Sequence, residues 1–227
     1  MQLGRLLLDP ALPGAVNMAR DEALLRVRAL PTLRFYKWDQ PTVSLGRFQE
    51  PKDLSWTALS KNNPPIVHRK TGGKAILHAD ELTYALCAPE ANVLSGGPAR
   101  AMTAIHEILA AELSRQLGES VSLRRSTSAL SDVEGSAWCF EDSSPLDLML
   151  NNRKLLGSAA RRSQGWVLFH GSLVLQAPEE TPNIGAFCGN PNLSALARAL
   201  GNGLKIDFQP GEWLEEEWTT LSSLESH

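Results

Sequence analysis

A chain of 227 residues, 43% of them hydrophobic, can bury one sizeable core, and residues 1–227 are read as a single domain. A net charge of −3 excludes the overall basic excess of a protein that grips a nucleic-acid backbone. Three cysteines (Cys87, Cys139 and Cys188), an odd number without metal-type spacing, argue against a disulfide framework or a zinc site.

At the start, the apolar run Leu6-Leu7-Leu8 is cut by Asp9, and no later run approaches the ~18 apolar residues of a membrane span. The expectation is a soluble, cytoplasmic chain with neither a membrane nor a nucleic-acid partner. Gln2 to Leu8 reads as a strand and Pro10 to Gly14 as a turn. Val16, Ala19, Ala23, Val27 and Leu30 then recur at helical spacing, with Arg20, Asp21, Glu22 and Arg26 on the other faces, until Pro31 stops the helix. Leu33 to Trp38 and Thr42 to Leu45 are β-rich runs expected to pair with each other across Gln40-Pro41. Glu50 to Ser60 suggests a short helix with Asp53 near its start, and Lys61 to Pro65 a loop.

Ile66-Val67-His68 leads into Arg69-Lys70-Thr71-Gly72-Gly73-Lys74, between two apparent strands. Paired glycines let a backbone approach a ligand closely, and with basic neighbours they suggest an anion cradle; an ordinary hairpin turn has the same composition. Ala75 to His78 and Glu81 to Ala88 follow as strands, the second presenting Leu82, Tyr84 and Leu86 on one face and holding Cys87 as a small core residue. The longest helix carries Met102, Ile105, Leu109, Leu113 and Leu117, ends near Gly118, and has His106 beside its apolar stripe in a structural or solvated role.

From Arg124 to Trp138 no period survives, and so long a loop in a compact domain is functional or disordered. Leu146 to Leu150 and Lys154 to Ala159 read as a hairpin through Asn151-Asn152. Val167 to Leu175, which contains His170-Gly171-Ser172, makes a further strand. Helices are expected from Asn192 to Leu200, stopped by Gly201, and from near Glu212, where Glu215, Glu216 and Glu217 suit the helix dipole. The element order is α+β with an antiparallel or mixed sheet. Neither common phosphate-loop motif is present.

Several segments together resemble the family of lipoate- and octanoyl-transferring proteins related to biotin ligases. They are Asn17-Met18-Ala19 with Asp21 to Leu25, Arg34-Phe35-Tyr36, and Pro41 to Gly46 with Phe48-Gln49. The rest are Arg69-x-Thr71-Gly72-Gly73-x-Ala75 with His78, Glu81 to Tyr84, Lys154-x-x-Gly157-Ser158-Ala159, and His170-Gly171-Ser172-Leu173. The resemblance implies a large mixed sheet, a smaller sheet, and an acyl tunnel beside the glycine turn. Arg69, Thr71, Gly72, Gly73, Ala75, His78, Gly157, Ser158, Ala159, His170 and Gly171 would surround the substrate. Members include ATP-dependent lipoate ligases, cysteine-dependent octanoyltransferases and amidotransferases.

Cys139-Phe140, followed by an acidic, serine-containing stretch and then Lys154, resembles the nucleophile segment of the cysteine-dependent octanoyltransferases. That resemblance implies catalysis by Cys139 and Lys154 with no cofactor, acyl carrier protein as octanoyl donor, and a lipoyl domain or glycine-cleavage H protein as acceptor. A free thiol is only a few per cent thiolate near neutrality, and an adjacent lysine ammonium favours the ionised form. Lys154 is also expected to donate to the thioester carbonyl, and Arg124, Arg125, Arg161 and Arg162 to offer a patch for acidic carriers. Lys70, Lys74 and Ser144-Pro145-Leu146 depart from the family pattern. The chain ends about where the catalytic domain should, which favours transfer without adenylation. An ATP-dependent ligase, an amidotransferase and a non-catalytic carrier-binding protein stand as the alternatives.

Overall fold

The computed structural model describes residues 1–54, 63–124, 129–179 and 181–225. β1 (Gln2–Leu12), α1 (Gly14–Val27), β2 (Thr32–Trp38), β3 (Thr42–Leu45), β4 (Ile66–His68), β5 (Ile76–His78), β6 (Glu81–Pro89) and α2 (Pro98–Leu117) form the first half. β7 (Val121–Leu123), β8 (Leu148–Leu150), β9 (Arg153–Ser163), β10 (Trp166–Val174), α3 (Leu193–Leu204), β11 (Ile206–Pro210) and α4 (Glu215–Glu225) complete the chain. An eight-stranded mixed sheet runs β11-β1-β2-β6-β10-β9-β8-β7, and a three-stranded sheet runs β4-β3-β5.

β6 shows why the large sheet has two different faces. Leu82, Tyr84 and Leu86 alternate onto one side, where Ile105, Leu109 and Leu113 of α2 and Leu196 and Leu200 of α3 cover them. Ala85 and Cys87 point to the other side, against Met18, Leu24 and Leu25 of α1. Cys87 is 1% exposed and is core, as its place in the strand suggests. The small residues on this second face let α1 and the small sheet come close, and the candidate site lies between them.

Some expectations are corrected. β2 and β3 do not pair: β2 lies between β1 and β6 of the large sheet, while β3 is the central strand of the small one. Every residue of β3 is buried, so it needs neighbours on both edges, which a hairpin with β2 would not supply. β1 extends through Pro10 with a bulge between Leu8 and Ala11, in place of the expected turn. α1 ends at Arg28, which adopts the left-handed conformation, before reaching Leu30. Its buried face contains Asn17 and Asp21, placing an amide and a carboxylate where an apolar stripe was expected.

Gly201 does not stop α3, which continues to Leu204; a Cβ there would come within 2.6 Å of the Ile206 carbonyl, so the glycine admits the returning strand β11. The helix expected over 50–60 is a single short turn at Pro51–Asp53, and residues 55–62 lie outside the described residues. The Asn151-Asn152 hairpin and the left-handed Gly118 end of α2 form as expected. α4 begins at Glu215 and packs on α1; its Glu217 is buried and pairs with Arg5 at 2.5 Å.

Candidate active site

The glycine turn crosses over β3 and is not a hairpin, because β4 and β5 lie on opposite edges of that strand. Gly73 takes φ +96, a conformation glycine adopts without strain. The Arg69 side chain reaches back through the turn. Its guanidinium donates to Ser44 O at 2.9 Å, Gly72 O at 3.0 Å and Lys74 O at 2.6 Å. Burial pulls Arg69 down to about 10, against the opposing pull of the Cys139 sulfur.

The neighbouring lysines are also engaged, Lys70 with Glu22 at 3.1 Å and Lys74 with Asp142 at 2.8 Å. A cradle that spends its cations on its own carbonyls and carboxylates is not arranged for a free anion. Gly46 packs so closely beneath the turn that a Cβ would stand 1.8 Å from Gly73 O, whereas at Gly72 it would meet open space. Gly46→Ala should therefore lower stability by about 1–3 kcal/mol or more, as overpacking does, while Gly72→Ala should stay within about 0.5 kcal/mol. Denaturant midpoints check the pair, and equal effects would contradict this packing.

Cys139 is brought to the turn by backbone. Ala75 and Trp138 form a parallel bridge, Ala75 N donates to Ala137 O at 3.0 Å, and Cys139 N donates to Ala75 O at 2.8 Å. A one-turn 3₁₀ helix, Cys139–Glu141, follows. Lys154 enters from β9 with its side chain fully buried. Its ammonium donates to Cys139 O at 2.6 Å, faces Cys139 Sγ at 3.3 Å, and pairs with Asp147 Oδ2 at 2.8 Å. A Cβ at Gly157 would lie 2.9 Å from Lys154 Cε, so the glycine leaves the room the lysine occupies. Burial opposes the charge on Lys154, but Cys139 and Asp147 outweigh it and hold the ammonium above the ordinary lysine value.

A narrow, mostly apolar cavity opens beside Cys139. Of the residues expected around a substrate, Arg69, Gly73, His78, Gly157, Ser158, Ala159, His170 and Gly171 line it. Three do not. Thr71 stands behind the wall and bonds His170 Nε2 at 2.6 Å, Gly72 lies on the outer side of the turn, and Ala75 supplies the carbonyl that anchors Cys139. Ala75 also lines a separate, mostly apolar cavity behind Trp138 and Phe140. At Gly171 a Cβ would come within 2.2 Å of Ser158 Oγ, so the bare backbone keeps this wall thin.

Two buried polar networks hold the lining. In one, Asp21 bonds Arg34 at 2.7 Å, Tyr36 at 2.9 Å and His170 at 3.3 Å; burial raises its carboxyl, but His170 and Arg34 prevail and lower it. In the other, Glu81 accepts from His78 Nδ1 at 2.8 Å, and His78 Nε2 meets Ser44 Oγ at 2.7 Å while Trp38 stacks on the ring at 3.8 Å. His106 proves structural, bonded to Ser158 Oγ at 2.7 Å and to the Leu146 carbonyl.

Burial lowers both His78 and His106 below the ordinary histidine value. The folded chain thus binds fewer protons than the unfolded one, so stability is present above the unfolded value of about 6.5 and falls as the pH drops toward the folded values. Melting temperature should decline on acidification from about pH 6.5, with a shallower slope in His106→Gln; an unchanged slope would contradict this.

Of the four arginines expected to offer a patch for acidic carriers, three lie among the described residues. Arg124 donates to Ser143 O inside the loop that carries Cys139, Arg162 pairs with Glu90, and Arg125 lies outside the described residues. Arg161 reaches the Lys70 carbonyl at 3.4 Å.

Residues 13–183 match the lipoyl protein ligase A/B catalytic domain. The chain belongs to that family. Its relatives include an octanoyltransferase LipM of Moorella thermoacetica, 41% identical over 165 residues that cover 70% of this chain and 60% of the relative. Another, from Brevibacillus brevis, is 32% identical and aligns over 99% of this chain and 95% of its own length. The chain spans only 60–63% of the length of several curated relatives it matches.

The fold is shared with a bipartite lipoate protein ligase from Thermoplasma acidophilum. The TM-score is 0.73 at 20% identity, over 99% of this chain and 92% of that one. It is shared also with a lipoate-protein ligase A bound with ATP, at TM-score 0.77 and 22% identity, over 98% and 94% of the two chains. The expected large mixed sheet and smaller sheet of the biotin and lipoate ligase catalytic domain are therefore present.

Three carboxylates of the site, Asp147, Asp21 and Glu81, are absent from the expected site residues, although Asp21 and Glu81 stand in segments that carry the family resemblance. Asn17 and Asp21, four apart on the face that also carries Leu24, were the available signal for one of them. Asp147 adjoins the hairpin without any pattern of its own.

Proposed function

We propose that this protein is an octanoyltransferase that carries the acyl group on Cys139. The observation that carries the reading is Cys139 Sγ lying 3.3 Å from the buried Lys154 ammonium in a mostly apolar cavity; the likeness to octanoyltransferases LipM supports it. A thiolate is the attacking species in such a reaction, and the ammonium stands beside Sγ as its counter-charge. The sulfur attacks the carbonyl of an octanoyl thioester on acyl carrier protein, forming a new carbon–sulfur bond, and the carrier thiolate departs and takes up a proton. A lysine amine of a lipoyl domain or glycine-cleavage H protein then attacks the acyl-cysteine. A carbon–nitrogen bond forms, Cys139 Sγ leaves, and the amine gives up a proton.

Three acceptors already surround the Lys154 ammonium, Cys139 O, Cys139 Sγ and Asp147. Its role is therefore chiefly that of a counter-charge to the sulfur, and donation to the thioester carbonyl would require giving up one of these contacts. The cavity beside the sulfur is walled by Gly73, Gly157 and Gly171 and is mostly apolar, the lining that suits an alkyl chain. A cytoplasmic location belongs to the same proposal, since it is where both carriers would be met.

The test is transfer from octanoyl carrier protein to a lipoyl domain without ATP, read by the mass of the acceptor. The expected result is an ATP-independent octanoyl gain. Modification only with free lipoate and ATP would contradict it and favour the ligase, and a reaction that starts only from octanoyl H protein would make the chain an amidotransferase.

A further inference from the structure

The nitrogen of Lys154 has an unusual set of neighbours for a residue beside a nucleophile. Asp147 Oδ2 at 2.8 Å and the Cys139 carbonyl at 2.6 Å can only accept hydrogen bonds from it. Cys139 Sγ at 3.3 Å occupies the third direction. A neutral amine has two N–H donors and a lone pair that only the Cys139 S–H could satisfy; once the sulfur carries no hydrogen, as after acylation, only an ammonium satisfies all three.

Asp147 is itself fixed. It is 4% exposed, and Ser144 N donates to the same Oδ2 at 2.6 Å, while Arg124 N donates to its backbone carbonyl at 2.8 Å. Gly157 presses from the remaining side, where a Cβ would stand 3.2 Å from Asp147 Oδ1 and 3.2 Å from Lys154 Nζ. Once Cys139 is acylated its sulfur bears no negative charge, and Asp147 is then the carboxylate partner that remains to Lys154.

We propose that Asp147 is a positioning residue that keeps Lys154 an ammonium, aimed at Cys139, in both the free and the acylated enzyme. Lys154 then acts as a fixed cation throughout and never as the base, and the proton lost by the incoming lysine passes to solvent water, which balances the proton taken up by the carrier thiolate. The inference deepens the acyl-cysteine reading and rests on it for its meaning, but its measurements use no acyl donor. They can fail while octanoyl transfer stands, and an absent transfer reaction leaves their outcome readable.

The experiment follows the ¹⁵Nζ resonance of Lys154 in a Cys188→Ser background with Cys139 carbamidomethylated, so that no thiolate is present. In the protein with Asp147 the resonance should remain that of an ammonium up to about pH 9, below the ordinary lysine value of about 10.4. In Asp147→Asn it should titrate to the amine within that range. A wild-type resonance that titrates, or an Asp147→Asn resonance that does not, overturns the proposal.

Alkylation of unmodified Cys139 near neutral pH gives a second reading. Asp147→Asn should slow it about tenfold, the order expected when a thiolate loses its cation, and should slow it no further in the presence of Lys154→Met. Unchanged or faster alkylation in the single variant, or additive losses in the double, would also overturn it. Should Asp147→Asn fail to fold, Asp147→Glu keeps the carboxylate and should leave Lys154 charged, and the wild-type titration remains decisive.

Discussion

Cys139→Ala should abolish octanoyl transfer, with a loss on the order of 10³-fold or more, as expected when a covalent route loses its nucleophile. The fold should barely notice the change. The Cys139 peptide is anchored through backbone, by Cys139 N to Ala75 O at 2.8 Å and by Lys154 Nζ to Cys139 O at 2.6 Å, and both bonds survive the loss of the sulfur. Melting temperature should therefore stay close to that of the unaltered chain while product formation disappears. Turnover in Cys139→Ala near the original rate would place the chemistry elsewhere, and a large fall in stability would show that the thiol is mainly a packing group.

Lys154→Met should fail in both respects. Removing the ammonium takes away the cation beside Sγ, so alkylation and transfer should fall by roughly 10²-fold. It also leaves Asp147 buried opposite an apolar side chain, and breaking a buried pair by removing one partner costs about 3–5 kcal/mol where both groups are as enclosed as these. Lys154→Met with Asp147→Asn removes both charges and should recover much of that stability without recovering activity. The denaturation midpoint of the double variant checks the first part and a transfer assay the second. If the double variant is no more stable than Lys154→Met, Asp147 does not experience the unpaired burial assigned to it.

How far the sequence carries toward this site depends on whether an element is defined by neighbours along the chain or across it. The Asn151-Asn152 hairpin and the α2 stripe from Met102 to Leu113 are local patterns, and each forms where its residues indicate. β2 and β3 are adjacent in sequence and equally β-rich, yet the complete burial of β3 sends it to a separate sheet whose other strands lie up to 36 residues further on. β11 has no alternation to mark it and exists because β1 offers it a parallel edge.

The same division runs through the site. Cys139, Lys154 and the glycines of the cavity wall stand in motifs and were legible. Asp147 and Glu81 matter through partners brought to them by the fold, Lys154 across a hairpin and His78 across a tight turn. Asp21 reads as one polar residue of an amphipathic helix until Arg34, Tyr36 and His170 converge on it from two strands. The basic residues of the glycine turn left an anion cradle and an ordinary turn both open, and only the fold shows Arg69 bonded to the turn's own carbonyls.

Whether Cys139 carries the acyl group between two proteins is read from the mass of the intact chain after brief exposure to octanoyl carrier protein with no acceptor present. The expected result is a single octanoyl adduct that maps to Cys139, is absent in Cys139→Ala, and is discharged when a lipoyl domain is added. A chain that transfers octanoate to the acceptor while never gaining that mass, or that gains it in Cys139→Ala, would contradict it.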